Sequence, residues 1–380
     1  MATNSDDIIL GSPGNDLIAG LNGSDTIQSL GGDDTVTGDA QDDHLIGGTG
    51  NDDLNGGTGD DVIEGDDGDD ILIGGADDDT LIGGGEADFL QGGTGFDHHF
   101  GGGEDDAFLW ENGDGNDVND GGTDFDLQTI TGAEDGDIFS LNPNDVNTTS
   151  VFQRENLIPF NIQISNMEEV DVFGGGGADF FEVGNLAGTG VNNLLFDGGD
   201  GGDTLTTQAL QGVSVIAFGG DGADFFYGGI EAEEFYGEAG GDHFFSGAGD
   251  DFIVGDAGND QIFTGSGNDF IDAGDNDDTI VMGPGDDYAI TGTGADRIRY
   301  DIGGGSDTVE DYQNFVDDFF LGGIGQAVVD SNADNVVNDA DDLVAYDAVT
   351  DSLTFAFNAT DQIQFLGVES MSVGGDIFFV

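Results

Sequence analysis

Residues 38–73 read GDAQDDHLI, GGTGNDDLN, GGTGDDVIE and GDDGDDILI, four units of nine residues laid end to end from Gly38 to Ile73. Outward from there the same frame holds without a gap from Ala2 to Leu109, giving twelve units. The sixth place is Asp in every one: Asp7, Asp16, Asp25, Asp34, Asp43, Asp52, Asp61, Asp70, Asp79, Asp88, Asp97 and Asp106. The eighth place is apolar from Ile9 to Phe108, with His99 the exception. A triplet such as His44-Leu45-Ile46 is too short to bury its apolar side chain alone, so the units must stack. Glycine at places one, two and four allows the positive φ angles of a tight turn. The sixth-place Asp ends that turn, where it can face a cation beside backbone carbonyls.

A second unbroken array of nine units runs from Gly219 to Arg299. Its sixth places are Asp224, Glu233, Asp242, Asp251, Asp260, Asp269, Asp278, Asp287 and Asp296, and its eighth places run from Phe226 to Ile298. Glu233 has one methylene too many for an Asp site. Fourth-place Gly gives way to Ser5, Gln41, Asp77, Glu86, Glu104, Glu231 and Asn276, where positive φ carries a steric cost. Of the 29 Phe residues, only Phe89, Phe96 and Phe100 fall in the first hundred positions. The later coils are therefore expected to take an aromatic load into their interior rather than to present a sugar-binding ladder.

The unit resembles GGxGxDxUx, with U a large apolar residue, the repeat of the RTX calcium-binding proteins. The resemblance implies an all-β fold, a parallel β-roll or β-helix solenoid in which two units make one coil. It also implies Ca²⁺ ions held between loops on each edge. The candidate metal ligands are Asp16, Asp25, Asp34, Asp43, Asp52, Asp61, Asp70, Asp79, Asp88 and Asp97 in the first array. In the second they are Asp224, Asp242, Asp251, Asp260, Asp269, Asp278, Asp287 and Asp296. Coils stacked at about 4.8 Å put like carboxylates in a column. Each neighbouring pair then repels by roughly 1 kcal/mol in water and about 3.5 kcal/mol at an effective dielectric near 20. Ten such pairs exceed a net folding stability of about 5–15 kcal/mol. A hard dication with oxygen ligands reverses that term, and Ca²⁺ tolerates irregular coordination better than Mg²⁺.

Composition points the same way. There are 81 acidic residues against three basic ones, Arg154, Arg297 and Arg299, and the net charge is -78. Nucleic acid and anionic membrane are excluded as partners, since both need a basic patch. Cysteine is absent, so no disulfide or Cys-type zinc site braces the chain. No run approaches a membrane span, and Met1–Asp7 lack the basic and apolar regions of a signal peptide.

Between the arrays the frame slips by two residues at Trp110-Glu111 and resumes in NGDGNDVND (Asn112–Asp120) and GGTDFDLQT (Gly121–Thr129). Ordinary β-strand is expected from Ile130 to Phe173, with Arg154 in a structural ion pair. Isolated units at Gly174–Glu182 and Gly198–Thr206 place Asp179, Asp203 and Asp224 at spacings of 24 and 21 residues. That suits longer coils of one continuous solenoid. Four segments are thus expected: a first array over 2–129, an irregular insert with isolated repeats over 130–218, a second array over 219–299, and a cap over 300–380. Within the cap, Asp330–Asp341 is an EF-hand-like candidate loop, although Asn335 stands where Gly is usual. The tail Asp376–Val380, an acid before a short apolar run, resembles the C-terminal address of proteins exported by type I machinery. A last β-strand is the alternative reading.

No catalytic constellation emerges. The array begins at residue 2, leaving no room before it for the catalytic domain that many RTX proteins carry, and neither a His-Glu-x-x-His nor a Gly-x-Ser-x-Gly motif occurs. His44, His98, His99 and His243 occupy places seven or eight and are expected to face solvent or core. His98 and His99 could hold zinc, though adjacent residues in a strand point to opposite faces. The function expected is that of an extracellular Ca²⁺-binding solenoid with a structural or surface-matrix role, possible self-assembly included. The alternatives are an RTX-type enzyme with its site in 130–218, or an adhesin or ice-binding module. In the twelve units of the first array third-place Thr occurs only at Thr49, Thr58 and Thr94, too sparse for a regular ice-binding face.

Overall fold

A computed structural model describes residues 3–133, 137–143, 149–154, 160–208, 210–301, 304–313, 316–322, 336–337, 344–347, 352–358, 361–368, 371–372 and 377–379. These residues form strands, turns and bends with no helix. The side chain of Arg154 and the loop Asp330–Asp341, apart from the backbone of Val336 and Val337, lie outside the described residues. Two compact units are formed, one from Met1–Gly176 with Phe180–Phe196, the other from Gly177–Asp179 with Asp197–Val380.

In the first unit each nine-residue repeat supplies one short strand, and strands eighteen residues apart pair in parallel. Thr26–Gly31 pairs with His44–Thr49, which pairs with Val62–Asp67, in the register Ile27↔Leu45↔Ile63. On the other side Thr35–Ala40, Asp53–Thr58 and Ile71–Ala76 pair as Val36↔Leu54↔Leu72. Two repeats therefore make one coil of a parallel β-solenoid. Side chains alternate across a strand, so one residue per triplet points inward, and Ile27, Leu45, Leu54, Ile63, Leu72, Leu81 and Leu90 are fully buried.

The two-residue slip at Trp110-Glu111 is absorbed without breaking the stack. Ala107–Trp110 pairs with Leu127–Thr131 twenty residues on, and Trp110 is buried, its indole N–H donating to the Gly115 carbonyl at 3.2 Å. The strand region expected between Ile130 and Phe173 is a meander in which Ile138–Pro143, Thr149–Arg154 and Phe160–Ser165 pair antiparallel. Parallel stacking resumes when Leu127–Thr131 pairs with Glu169–Phe173.

In the second unit most strands from Phe225 to Ile290 shorten to three residues, Glu233–Gly240 being longer, with Phe226↔Phe244 and Ile262↔Ile280↔Ile298 along one side and Phe235↔Ile253↔Ile271↔Ala289 along the other. Only part of the aromatic load goes inside. Phe226, Phe235 and Phe244 are buried, whereas Tyr227, Phe245 and Phe263 occupy the outward places flanking them and stack at 5.2 and 4.9 Å. Phe252, Phe270 and Tyr288 form a second outward stack, at 4.9 and 5.7 Å. In-register coils about 4.8 Å apart bring like rings to that distance. The interior column narrows instead to Ile253, Ile262 and Ile271.

After Arg297–Asp301 the side continues through Asp318–Gly322 to Ile377–Phe379, which pairs in parallel with it as Phe320↔Phe378. The tail is thus the last strand of its sheet.

Candidate metal centre

The sixth-place Asp sits at the mouth of each triplet, where the chain leaves the turn and enters the strand. From Asp25 to Asp106 every one is buried, at no more than 3% exposure, and so are Asp224, Asp242, Asp251, Asp260, Asp269, Asp278, Asp287 and Asp296. One oxygen of each has a set task. The backbone N–H of Asp25 donates to Asp43 Oδ1 at 2.7 Å, that of Asp43 to Asp61 Oδ1 at 2.7 Å, and that of Asp61 to Asp79 Oδ1 at 2.8 Å. The same ladder runs in the second unit, as from Asp242 to Asp260 to Asp278.

The other oxygen has none. Oδ2 of Asp25, Asp34, Asp43, Asp52, Asp61, Asp70, Asp79, Asp88, Asp97 and Asp106 is buried without a hydrogen-bond partner, as is Oδ2 of Asp224, Asp242, Asp260, Asp278, Asp287 and Asp296. Leaving a buried acceptor unsatisfied costs about 1–3 kcal/mol, more when it is charged. A column of such atoms is a strong demand for a cation.

The first-place glycines show where that demand converges. At Gly38, Gly47, Gly56, Gly65, Gly74 and Gly83 an added Cβ would lie 2.2–2.4 Å from Oδ2 of the same unit's Asp. It would also lie 2.6–2.8 Å from the carbonyl oxygen eighteen residues on. These glycines do not adopt positive φ; places two and four do, as at Gly48 and Gly50. The first-place glycine is therefore required for space, which corrects the reading that all three places serve the turn. Among the described residues no three His, Asp or Glu side chains converge on one point. The donors brought together are carboxylate and backbone carbonyl oxygens, the hard set that suits Ca²⁺.

Electrostatics agree. Burial, less the help of the backbone N–H and reinforced by neighbouring carboxylates, raises Asp61 and Asp70 to about 7 and Asp79 and Asp88 to about 8. Asp278 and Asp287 are likewise raised to about 8. Burial and the Asp251 carboxylate push Glu233 up to about 9. Its longer side chain turns back to accept the N–H of Gly229 at 3.3 Å, leaving Oε2 buried and unpartnered.

Not every expected ligand has this setting. Asp16 is half-buried near the open first coil, and its Oδ2 accepts the N–H and hydroxyl of Ser12 at 2.6 and 2.9 Å. In five of the nine units of the second array the first place is Ser246, Thr264, Ala273, Met282 or Thr291, all buried, so a side chain fills the space beside Asp251, Asp269, Asp278, Asp287 and Asp296. The Ser246 hydroxyl donates to the Thr264 carbonyl, and Oδ2 of Asp251 and Asp269 is buried and unpartnered like the others.

The ladder also reaches residues outside the expected set. The N–H of Asp97 donates to Asp117 Oδ1 and that of Asp106 to Asp126 Oδ1, each twenty residues on because of the slip. Asp179 donates to Asp203 Oδ1 and Asp203 to Asp224 Oδ1, across longer coils of 24 and 21 residues. Asp307 and Asp317 continue it past Arg299. The signal for Asp106, Asp117 and Asp126 was the sixth place itself. A second, exposed ladder runs the opposite way along the fifth place, where Asp60 Oδ1 accepts the N–H of Asp78 and Asp69 Oδ1 that of Ala87.

No curated protein matches the chain. Among solved structures it is similar to the extracellular lipase LipA from Serratia marcescens, at 15% identity and a TM-score of 0.21, over 89% of this chain and 40% of the lipase. The chain thus spans less than half of that protein's length. It is also similar to a hyperactive, Ca²⁺-dependent, β-helical antifreeze protein from an Antarctic bacterium, at 18% identity and a TM-score of 0.18, over 84% of this chain and 78% of that one. The profile of the RTX calcium-binding nonapeptide repeat (4 copies) matches in overlapping segments that run from 1–36 to 64–98 and from 216–244 to 254–289. Those segments carry the two ladders of buried carboxylates, and both stretches are RTX calcium-binding nonapeptide repeats.

Proposed function

We propose that the protein is a secreted solenoid whose folding is driven by Ca²⁺, with a structural or surface-matrix role and no catalytic one. The observation that carries this reading is the row of buried, unpartnered Oδ2 atoms from Asp25 to Asp106. Except at Asp34, whose unit begins with Ser29, and at Asp97, where the neighbour is His99 Nε2, each lies beside a backbone carbonyl in a space kept open by the absence of a Cβ. In the metal-free chain these carboxylates must either ionise in a poorly hydrated column or hold a proton. With Ca²⁺ supplied, each Oδ2 gains a partner and the repulsion along the column becomes attraction. Binding energy is then folding energy.

Free Ca²⁺ is scarce in a bacterial cytosol and reaches millimolar levels outside, the range of weak extracellular modules. The chain stays open inside the cell, passes a type I exporter, and folds as it emerges. With ions shared between stacked loops the first array gives about ten sites and the second at most about seven, fewer where a first-place side chain fills the space. The test is Ca²⁺ titration of the purified full chain into a chelated sample, followed by far-ultraviolet circular dichroism and calorimetry. Cooperative gain of β-signal with Ca²⁺, and little with Mg²⁺, is expected. A spectrum that the chelator leaves unchanged would refute the reading.

A further inference from the structure

His99 is the one eighth-place residue of the first array that is not apolar, and the structure puts it fully inside, at 1% exposure. Its neighbour His98 lies on the other side of the strand, half-exposed, its ring edge-on to Phe96. The two do not act together, but His99 has other partners.

A short chain of hydrogen bonds fixes its tautomer. The Gln128 amide Nε2 donates to the carbonyl oxygens of Thr129 at 3.0 Å and Phe108 at 3.4 Å. Carbonyls only accept, so the Gln128 amide orientation is set and its Oε1 is left as an acceptor. Asn119 Nδ2 donates to that Oε1, which turns Asn119 Oδ1 toward His99 Nδ1 at 2.7 Å. An amide oxygen cannot donate, so Nδ1 carries the proton. In the neutral ring Nε2 then presents a bare lone pair.

That lone pair has no hydrogen-bond partner and is buried. It points over Gly92, where an added Cβ would lie 2.6 Å from His99 Nε2 and 2.4 Å from Asp97 Oδ2. Two atoms within 2.6 and 2.4 Å of one point are no more than 5.0 Å apart. Asp97 Oδ2 is itself buried and unpartnered, because Oδ1 accepts the N–H of Asp79 at 2.8 Å. In the loops at Gly38 to Gly83 the second atom over the glycine is a carbonyl oxygen; here it is an imidazole nitrogen. Two acceptors, each buried and each lacking a donor, face the same small space.

We infer that Asp97 Oδ2 and His99 Nε2 form a mixed oxygen–nitrogen site for one first-row transition-metal ion of the Zn²⁺ class, set within the calcium array. Imidazole binds Zn²⁺, Co²⁺ or Ni²⁺ well and the hard Ca²⁺ poorly. Bonds of about 2.0–2.2 Å to nitrogen and carboxylate oxygen bridge the two atoms after a small rotation of the carboxylate. Asn119 and Gln128 are positioning residues that hold the metal-binding tautomer, the role of the outer shell at metallated histidines. Water would supply the remaining ligands.

The test uses the full chain kept in millimolar Ca²⁺, with Co²⁺ and Zn²⁺ as probes. The variant H44A/H98A/H243A leaves His99 as the sole imidazole of a chain with four histidines. It is expected to bind one equivalent of Co²⁺ with visible d–d absorption, displaced by Zn²⁺, and to show a large ¹⁵N shift at Nε2 rather than Nδ1. Adding H99L, which restores the usual apolar eighth place, should abolish that equivalent, whereas N119L should weaken it at least tenfold. Should the H99L chain fail to fold, the ¹⁵N measurement on the single-histidine chain decides alone. An Nε2 resonance unmoved by excess Zn²⁺, or unchanged Co²⁺ stoichiometry in folded H99L, would overturn the site.

Discussion

At the scale of single residues, the sixth-place carboxylates make the metal-free fold sensitive to acid in an unusual direction. Their folded values, about 7 for Asp61 and Asp70 and about 8 for Asp79 and Asp88, lie above the ordinary 3.8. The folded chain therefore binds more protons than the unfolded one between pH 4 and 8, and its stability falls as pH rises through that window. In chelator, circular dichroism should show more β-structure near pH 5 than at pH 8, the reverse of ordinary acid denaturation. The glycines give a second test. G65A places a methyl 2.3 Å from Asp70 Oδ2 and 2.6 Å from the Gly83 carbonyl, whereas G85A meets nothing within 4 Å. Calorimetry should find at least one Ca²⁺ lost and a Tm lowered by several degrees in G65A, with G85A within about 0.5 kcal/mol of the parent. The nine-residue period made the Asp and apolar columns legible, because both recur at fixed places. It did not reveal that place one is kept clear for oxygens. Nor did it show that Leu21, Leu30, Asp39 and Asp66 at place two take positive φ, since such residues carry no local mark of that backbone. The His99 relay was equally hidden, because Asn119 and Gln128 meet it only through the coil.

At the scale of the element, a coil is stable only through its neighbours. Asp61 accepts the N–H of Asp43 and donates its own to Asp79, so it ties three coils. Asp7 has one ladder bond, to Asp25, and its Oδ2 turns instead to Thr3. With Ca²⁺ present, D61A should cost several kcal/mol, of which about 1–3 kcal/mol comes from the stranded Asp43 N–H. D7A should cost under about 1 kcal/mol. Equal midpoints in guanidinium for the two variants would count against a stack of mutually supporting coils. The outward aromatic stacks were the poorly legible part of the elements. Triplets such as Phe225-Phe226-Tyr227 are apolar at all three places, so alternation alone could not tell which rings go in.

For the whole molecule, the tail is both a strand and the proposed address. Ile377–Phe379 pairs with Asp318–Gly322 once folded, so an exporter can read it only while the chain is open. Deleting Asp376–Val380 should leave protein in the cytosol of a host carrying type I machinery, while the full chain reaches the medium. Full-length protein retained beside an exported control would leave a cytosolic calcium buffer as the reading. The eighteen-residue coil has one more consequence. Residues 47–64 carry Asp52, Asp53, Asp60, Asp61 and Glu64, and stacking compresses them into a rise of about 4.8 Å. Above pH 8, where Asp52 and Asp61 are ionised despite their raised values, that is roughly one charge per ångström, denser than the one per about 1.7 Å of double-stranded DNA. A metal-free roll is therefore a polyelectrolyte that condenses monovalent ions around itself, and Ca²⁺ must displace them. A plot of log apparent Ca²⁺ affinity against log NaCl concentration should be a straight line of negative slope, as it is for proteins binding to nucleic acid, with calcium here in the part of the protein and the protein in the part of the DNA.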